Sequence, residues 1–190
     1  MSAGAPAFAA PSDDTLIAMC AGGEDAAFAE LFRRHAARVL RFVSRVHGVQ
    51  RRDLEDLVQA TFVDVYRGAA TFGGRSAVGT WILGIAVNIV RHHLRGEVRW
   101  RTIIDEATSE RQTVASPRPD EGGHELVARF ERALASLPRD VQLVYCLCEL
   151  EGLKGARAAQ ILGMPEGTFW RKLHEARTTV REAVAQAGMA

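Results

Sequence analysis

Between Lys154 and Glu182 the sequence KGARAAQILGMPEGTFWRKLHEARTTVRE sets small constraints at fixed offsets, and they restrict the fold more than any other stretch. Ala159 stands where two helices must approach closely. Gly163, four residues later, suits a turn that needs positive φ. Phe169, ten residues after Ala159, opens an apolar stripe continued by Leu173, Ala176 and Val180 at spacings of four, three and four. Pro165 comes just before that second helix, where its missing donor costs nothing. The layout predicts a helix-turn-helix. Its outer face carries Thr168, Trp170, Arg171, Lys172, His174, Glu175 and Arg177. Such a face fits a DNA major groove, with Arg forking onto guanine and Lys or Thr meeting phosphate. A small helical hairpin with a solvated basic face accounts for the same residues, so the motif needs its context.

Size allows one domain or two small ones: the chain has 190 residues, 47% hydrophobic and 25% charged, enough to bury cores. The net charge of +1 argues against a non-specific DNA coater. Its distribution says more. Acidic residues gather at Asp13, Asp14, Glu24, Asp25 and Glu30 and again at Asp53, Glu55, Asp56 and Asp64, while basic ones gather at Arg91, Arg95, Arg99 and Arg101 and from Arg171 to Arg181. Separated faces of opposite sign suit two kinds of partner, one polyanionic; ordinary solvated helix faces are the bland alternative. Three cysteines without a secretory signal point to a reducing cytoplasm and to core filling, and Cys146 and Cys148 are poorly spaced for a shared metal. The start, MSAGAPAFAAPSDD, reads as a frayed tail, and no stretch is apolar enough to span a bilayer.

Taken in order, the chain predicts helices and no strands. A short helix covers Asp13 to Cys20, and a long amphipathic one runs from Glu24 to about His47 with Phe28, Leu31, Phe32, Val39, Phe42, Val43 and Val46 inward. The segment DLEDLVQATFVDVYRGAATF is helical again, with Asp53 as N-cap and Leu54, Leu57, Val58, Phe62, Val65 and Tyr66 buried. Asp53, Asp56, Gln59 and Asp64 remain for water or a partner. The Gly-rich loop GAATFGGRSAVG opens into a helix with Trp81, Ile85, Ile89 and Val90 as its apolar face and Asn88, Arg91, His92, Arg95 and Arg99 on the other. Residues 102–123 lose periodicity and read as a linker. Two more helices, His124 to Ser136 and Pro138 to Leu150, lead into the helix-turn-helix.

In this order, DLEDLVQATF, the loop, TWILGIAVNIVRHHLR, the linker, LASLPRDVQLV and EGLKGARAAQILGMPEGTFWRKLHEAR together resemble the extracytoplasmic-function group of bacterial RNA polymerase sigma factors, over about Asp13 to Ala185. The resemblance implies an all-α chain of two small helical domains joined by a flexible linker: a region-2-like domain over 1–101, a linker over 102–123 and a region-4-like helix-turn-helix domain over 124–190. It implies cytoplasmic promoter recognition, melting and initiation with core polymerase, with no catalytic centre, cofactor or metal of its own. By that resemblance Asp53, Asp56 and Gln59 meet the clamp helices of the largest polymerase subunit, and the C-terminal domain meets the flap. Phe72, Arg75, Ser76 and Thr80 fall in the segment that captures an unstacked base of the minus-ten element, and Asn88, Arg91 and Arg95 follow that element. Extruding a base costs a few kcal/mol, which a positioned pocket offsets. Thr168, Trp170, Arg171, Lys172, His174 and Arg177 match the positions that read the minus-thirty-five element. An anti-sigma factor covering both domains is a further implied partner.

Several residues depart from the family pattern. Trp170 replaces a usual basic residue and Arg171 a small polar one; Gly155, Ala156 and Arg157 stand where an acidic pair is common; Ala60 replaces an acidic residue and Val78 an aromatic. Trp170 either stacks on a sugar or thymine methyl or packs against a neighbouring helix. The linker sets a geometric condition. Elements about 16 base pairs apart are separated by roughly 54 Å, whereas about 22 residues stretch to roughly 73 Å and average about 26 Å as a coil. Held extended on polymerase, the linker reaches, so the isolated chain is expected to bind DNA weakly and the domains to rearrange on binding polymerase. The competing reading is a stand-alone helix-turn-helix regulator, which needs dimer symmetry and tight DNA binding without polymerase. An enzyme would need a constellation that the scattered histidines do not supply, and adjacent His92 and His93 point about 100° apart on a helix.

Overall fold

The computed structural model describes residues 10–107 and 125–185, with side chains described over those ranges except 97–107. The N-terminal tail, residues 108–123 of the expected linker and the Arg99 and Arg101 side chains lie outside the described residues. All regular elements among the described residues are helical: α1 Asp13–Ala21, α2 Asp25–Ser44, α3 Leu54–Gly68, α4 Val78–Ala107, α5 Glu125–Ser136, α6 Arg139–Tyr145, α7 Gly155–Leu162 and α8 Glu166–Ala185. Short 3-10 turns precede and follow α3, and a π-helical turn, Cys146–Leu150, extends α6.

Helices α1 to α4 form the N-terminal unit. The Ser12 hydroxyl caps α1 by accepting from the Thr15 amide at 3.1 Å, satisfying a donor that a helix start leaves orphaned. Arg34 of α2 reaches Asp13 at 2.9 Å and His35 reaches its other oxygen at 2.7 Å, pinning the start of α1 to α2. Burial works against the Asp13 carboxylate, but Arg34 and His35 outweigh it and hold its pKa below the ordinary value. Leu31, Phe42, Val43, Phe62, Val65, Ala86, Val87 and Val90 make the centre of the core. Each Val, Leu or Phe side chain among these, fully buried, contributes about 1.5–3 kcal/mol.

In α4 the buried stripe differs from the one the sequence predicts. Val78, Ile82, Leu83, Ala86, Val87, Val90 and Leu94 are buried, whereas Trp81, Ile85 and Ile89 are half-buried flanks. The cause is that α4 has neighbours on several sides, with α1, α2 and α3 against it and α7 meeting it from the second half. Such a helix buries a wide band rather than one narrow row. This helix continues to Ala107, into the segment expected to begin the linker.

The C-terminal unit sets α5, α6 and α7 around α8. Phe169, Leu173, Ala176 and Val180 are buried on α8, the stripe that the spacing predicts. Gly163 ends α7 with φ 63° and ψ 35°, and the next amide, Met164 N–H, donates back to Ala159 at 3.1 Å. A side chain in that left-handed conformation costs roughly 1–2 kcal/mol, which explains the glycine.

The two units also touch. Gln142 of α6 is buried; its Oε1 accepts from the His47 amide at 3.1 Å and its amide donates to the Leu134 carbonyl at 3.4 Å. Arg38 of α2 meets Glu151 at 2.8 Å, and Arg139 donates to the Leu94 carbonyl at 3.1 Å.

Candidate polymerase and nucleic-acid interfaces

Asp56 and Gln59 are exposed on the outer side of α3, and Glu55 beside them is exposed too. Asp53 is different. It occupies the N-cap position of α3 but makes no capping hydrogen bond; its carboxylate turns to His93 of α4 at 3.5 Å and to Arg52 at 3.7 Å. The side chain is 21% exposed, so it ties α3 to α4 more than it faces outward. The expected cap loses because a helix start in the αR conformation aims the carboxylate away from the first-turn amides.

Beside Gln59 the structure opens an apolar groove of about 590 Å³ between α2 and α3. Phe32, Leu40, Val58 and Val63 line it, with Gln59 and Glu55 at its border. Phe32 and Tyr66, expected inside, are 41% and 39% exposed, and Leu40 and Val63 are exposed to a similar degree. Clustered exposure of this kind marks a docking surface more than scattered apolar residues do. Periodicity places Phe32 on the buried face because it cannot show which inward positions a neighbouring helix leaves uncovered.

The loop before α4 is partly occupied. Phe72 is half-buried on Trp81, with ring centroids 5.3 Å apart. Arg75 is exposed, and Thr80 is partly covered near the start of α4. Ser76 accepts a hydrogen bond from Arg157 of α7 at 2.7 Å. Farther along α4, Asn88 and Arg95 are exposed, and the Arg95 Nε–H donates to the Arg91 carbonyl at 3.2 Å. Arg91 itself donates to the Leu162 carbonyl at the end of α7, also at 3.2 Å. Two of the seven residues expected at the minus-ten element are therefore engaged by the helix-turn-helix.

The outer face of α8 divides in two. Trp170, Arg171 and His174 are exposed and Thr168 is half-buried. Lys172 is ion-paired with Asp140 of α6, and this pairing, as the main cause, lowers the Asp140 pKa. Arg177 makes two hydrogen bonds to Glu149, at 2.7 and 3.0 Å. These two cations hold α8 against α6 and its π-turn. Sequence spacing alone does not reveal this, since the partners lie on other helices. No group of three or more metal-ligating side chains gathers among the described residues. None of the described helices is long and apolar enough to cross a membrane.

Comparison with known proteins agrees with this division. Residues 31–102 match the Sigma-70 region 2 model and residues 128–180 match the Sigma-70 region 4 model. The chain is 30% identical over 182 residues to the ECF RNA polymerase sigma-E factor of Salmonella typhimurium, covering 91% of this chain and 94% of the relative. It is 32% identical over 161 residues to the ECF RNA polymerase sigma factor SigE of Mycolicibacterium smegmatis, covering 83% of this chain but 61% of that longer relative. Two solved structures share the fold. CnrH in complex with the cytosolic domain of CnrY has TM-score 0.65 at 22% identity, covering 93% of this chain and 99% of that one. The sigma factor RpoE in complex with the anti-sigma factor NepR from Bartonella quintana has TM-score 0.66 at 21% identity, covering 83% and 96%. With both halves matched in order and a full-length relative at that identity, the chain belongs to the extracytoplasmic-function family of RNA polymerase sigma factors.

Proposed function

We propose that this sigma factor works through three separate faces, as a cytoplasmic, non-catalytic subunit that selects where core polymerase starts. The groove between α2 and α3, with Gln59 at its border, takes the clamp helices of the largest polymerase subunit together with the exposed Asp56 on the same helix; Asp53 supports that helix through His93. The loop with Phe72, Arg75, Ser76 and Thr80, together with Asn88, Arg91 and Arg95, meets the minus-ten element. The outer face of α8 meets the minus-thirty-five element through Thr168, Trp170, Arg171 and His174. Lys172 and Arg177 set the angle of α8 and reach phosphate only by leaving Asp140 and Glu149. Residues 1–101 and 124–190 act as the two promoter-binding domains, and the segment between them spans the distance on polymerase. An anti-sigma factor that covers these faces is proposed by analogy with NepR, which the solved RpoE structure holds.

The observation that carries the polymerase assignment is the apolar groove bordered by Gln59 within the region 2 match. An open cleft lined by Phe32, Leu40 and Val63 suits a helical partner that brings its own apolar side chains. Val63→Glu tests it, because residue 63 is exposed in the free chain, so the variant folds, yet places a carboxylate in the docked interface. Binding to sigma-free core polymerase is expected to weaken by about 2 kcal/mol, or about thirtyfold, with the melting temperature unchanged. Wild-type affinity in Val63→Glu would move the docking site away from this groove.

A further inference from the structure

Gly155 begins α7 and is buried, although it has no side chain of its own to bury. Its φ lies outside the positive range, so backbone conformation does not require glycine there. Proximity does. A Cβ added at Gly155 would sit 2.5 Å from Cζ2 and 3.1 Å from Cζ3 of Trp170. Both atoms lie at the outer edge of a rigid ring, so admitting a Cβ would require the whole indole to turn away. The same indole stands edge-on to the buried Phe169 ring, with centroids 5.7 Å apart and planes at 87°. The distal edge of Trp170 is thus seated in a notch that only glycine leaves open, while 49% of the residue stays exposed beside Arg171 and His174.

This arrangement joins packing to recognition. An exposed aromatic free to swing would lose conformational freedom on binding DNA, whereas one wedged between Gly155 and Phe169 is already fixed. Its uncovered part is an apolar surface on a helix face otherwise supplied with hydrogen-bonding groups. In the major groove the apolar feature that distinguishes one base from the others is the C5-methyl of thymine. We propose that Trp170 is a specificity residue for a thymine methyl in the upstream promoter element, and that Gly155 is the positioning residue that sets its reach. The inference rests on the placement of α8 at that element.

Uracil replaces thymine with loss of that methyl alone, so it isolates the contact. Holoenzyme assembled from core polymerase and the full chain is measured on promoter fragments in which each thymine of the upstream element, on either strand, is singly replaced by uracil. One position is expected to show weakening of about fourfold, the size expected for one buried methyl-sized group. The penalty is expected to vanish in Trp170→Ala, and in Gly155→Ala where the ring is unseated although present. A merely structural role for Trp170 would lower binding equally on thymine and uracil. If Gly155→Ala fails to fold, the double variant Gly155→Ala/Trp170→Ala keeps the comparison, since no ring remains to clash; it is expected to match Trp170→Ala. Tolerance of uracil at every position, or the same penalty surviving in Trp170→Ala, overturns the proposal. Holoenzyme indifferent to deletion of the whole element would overturn the placement of α8 and this inference with it, a result distinguishable from a sensitive element without a uracil effect.

Discussion

The two regions proposed to meet DNA are presented differently. On α8 the residues Trp170, Arg171 and His174 are exposed, and their positions are set inside the C-terminal unit by Phe169, Gly155 and the Lys172 and Arg177 ion pairs. On the loop and α4, Ser76 and Arg91 are hydrogen-bonded to Arg157 and to the Leu162 carbonyl, both on α7. The first region is braced by contacts within its own half, which also hold Lys172 and Arg177. The second is partly engaged by α7, the first helix of the other region's motif, through Ser76 and Arg91. The difference teaches that contacts within one half position the α8 face, whereas contacts between the halves hold two of the residues proposed for the minus-ten element. If the isolated chain binds DNA weakly and rearranges on polymerase, these contacts between the halves are the ones that must break.

The comparison breaks most severely if the helix-turn-helix loses its core. Phe169→Ala removes a fully buried ring, with a cost of about 3–5 kcal/mol. Hydrogen exchange is expected to show α7 and α8 deprotected while α2 and α3 remain protected; uniform deprotection would mean that the halves stand or fall together. A smaller change sharpens the contrast. Arg157→Ala removes the hydrogen bond to Ser76, about 0.5–1.5 kcal/mol. Solution scattering should then report a larger radius of gyration, with core-polymerase affinity equal to or above wild type; an unchanged radius would show that the other contacts suffice to hold the halves together.

Acid sets the smallest effect. Lys172 holds the Asp140 pKa below its ordinary value of 3.8. Its contribution is therefore present above the unfolded value and lost as pH falls through the folded one. Asp140→Asn is expected to lower the melting temperature slightly at neutral pH, and the gap from wild type should begin to narrow only as pH falls below 3.8. A gap that persists in acid would assign the effect to packing rather than charge.

Much of the fold was legible because it depends on local order. The stripe on α8, the left-handed Gly163 and the order of helices follow from spacing and from backbone preferences that neighbours in sequence impose. Other readings depended on residues far away. Asp53 turned from cap to His93 of α4, Phe32 moved from core to groove rim, and α4 buried Ile82 and Val87 as well as Val90, because partners on other helices decide which side of a helix is inside. Candidate minus-thirty-five residues divided in the same way: Arg171 and His174 were readable as outward, whereas the partners of Lys172 and Arg177 lie 32 and 28 residues earlier in the chain.

By itself the sequence determined an all-helical chain, the helix-turn-helix and the family whose motifs it carries, since periodicity, turn glycines and motif order act over short separations. Only the tertiary structure decided that α2 and α3 leave a groove between them, that Gly155 leaves room for the Trp170 ring, and that Arg157 and the Leu162 carbonyl bond Ser76 and Arg91. Those outcomes depend on the distance between side chains remote in sequence, which helical packing sets and residue spacing does not encode.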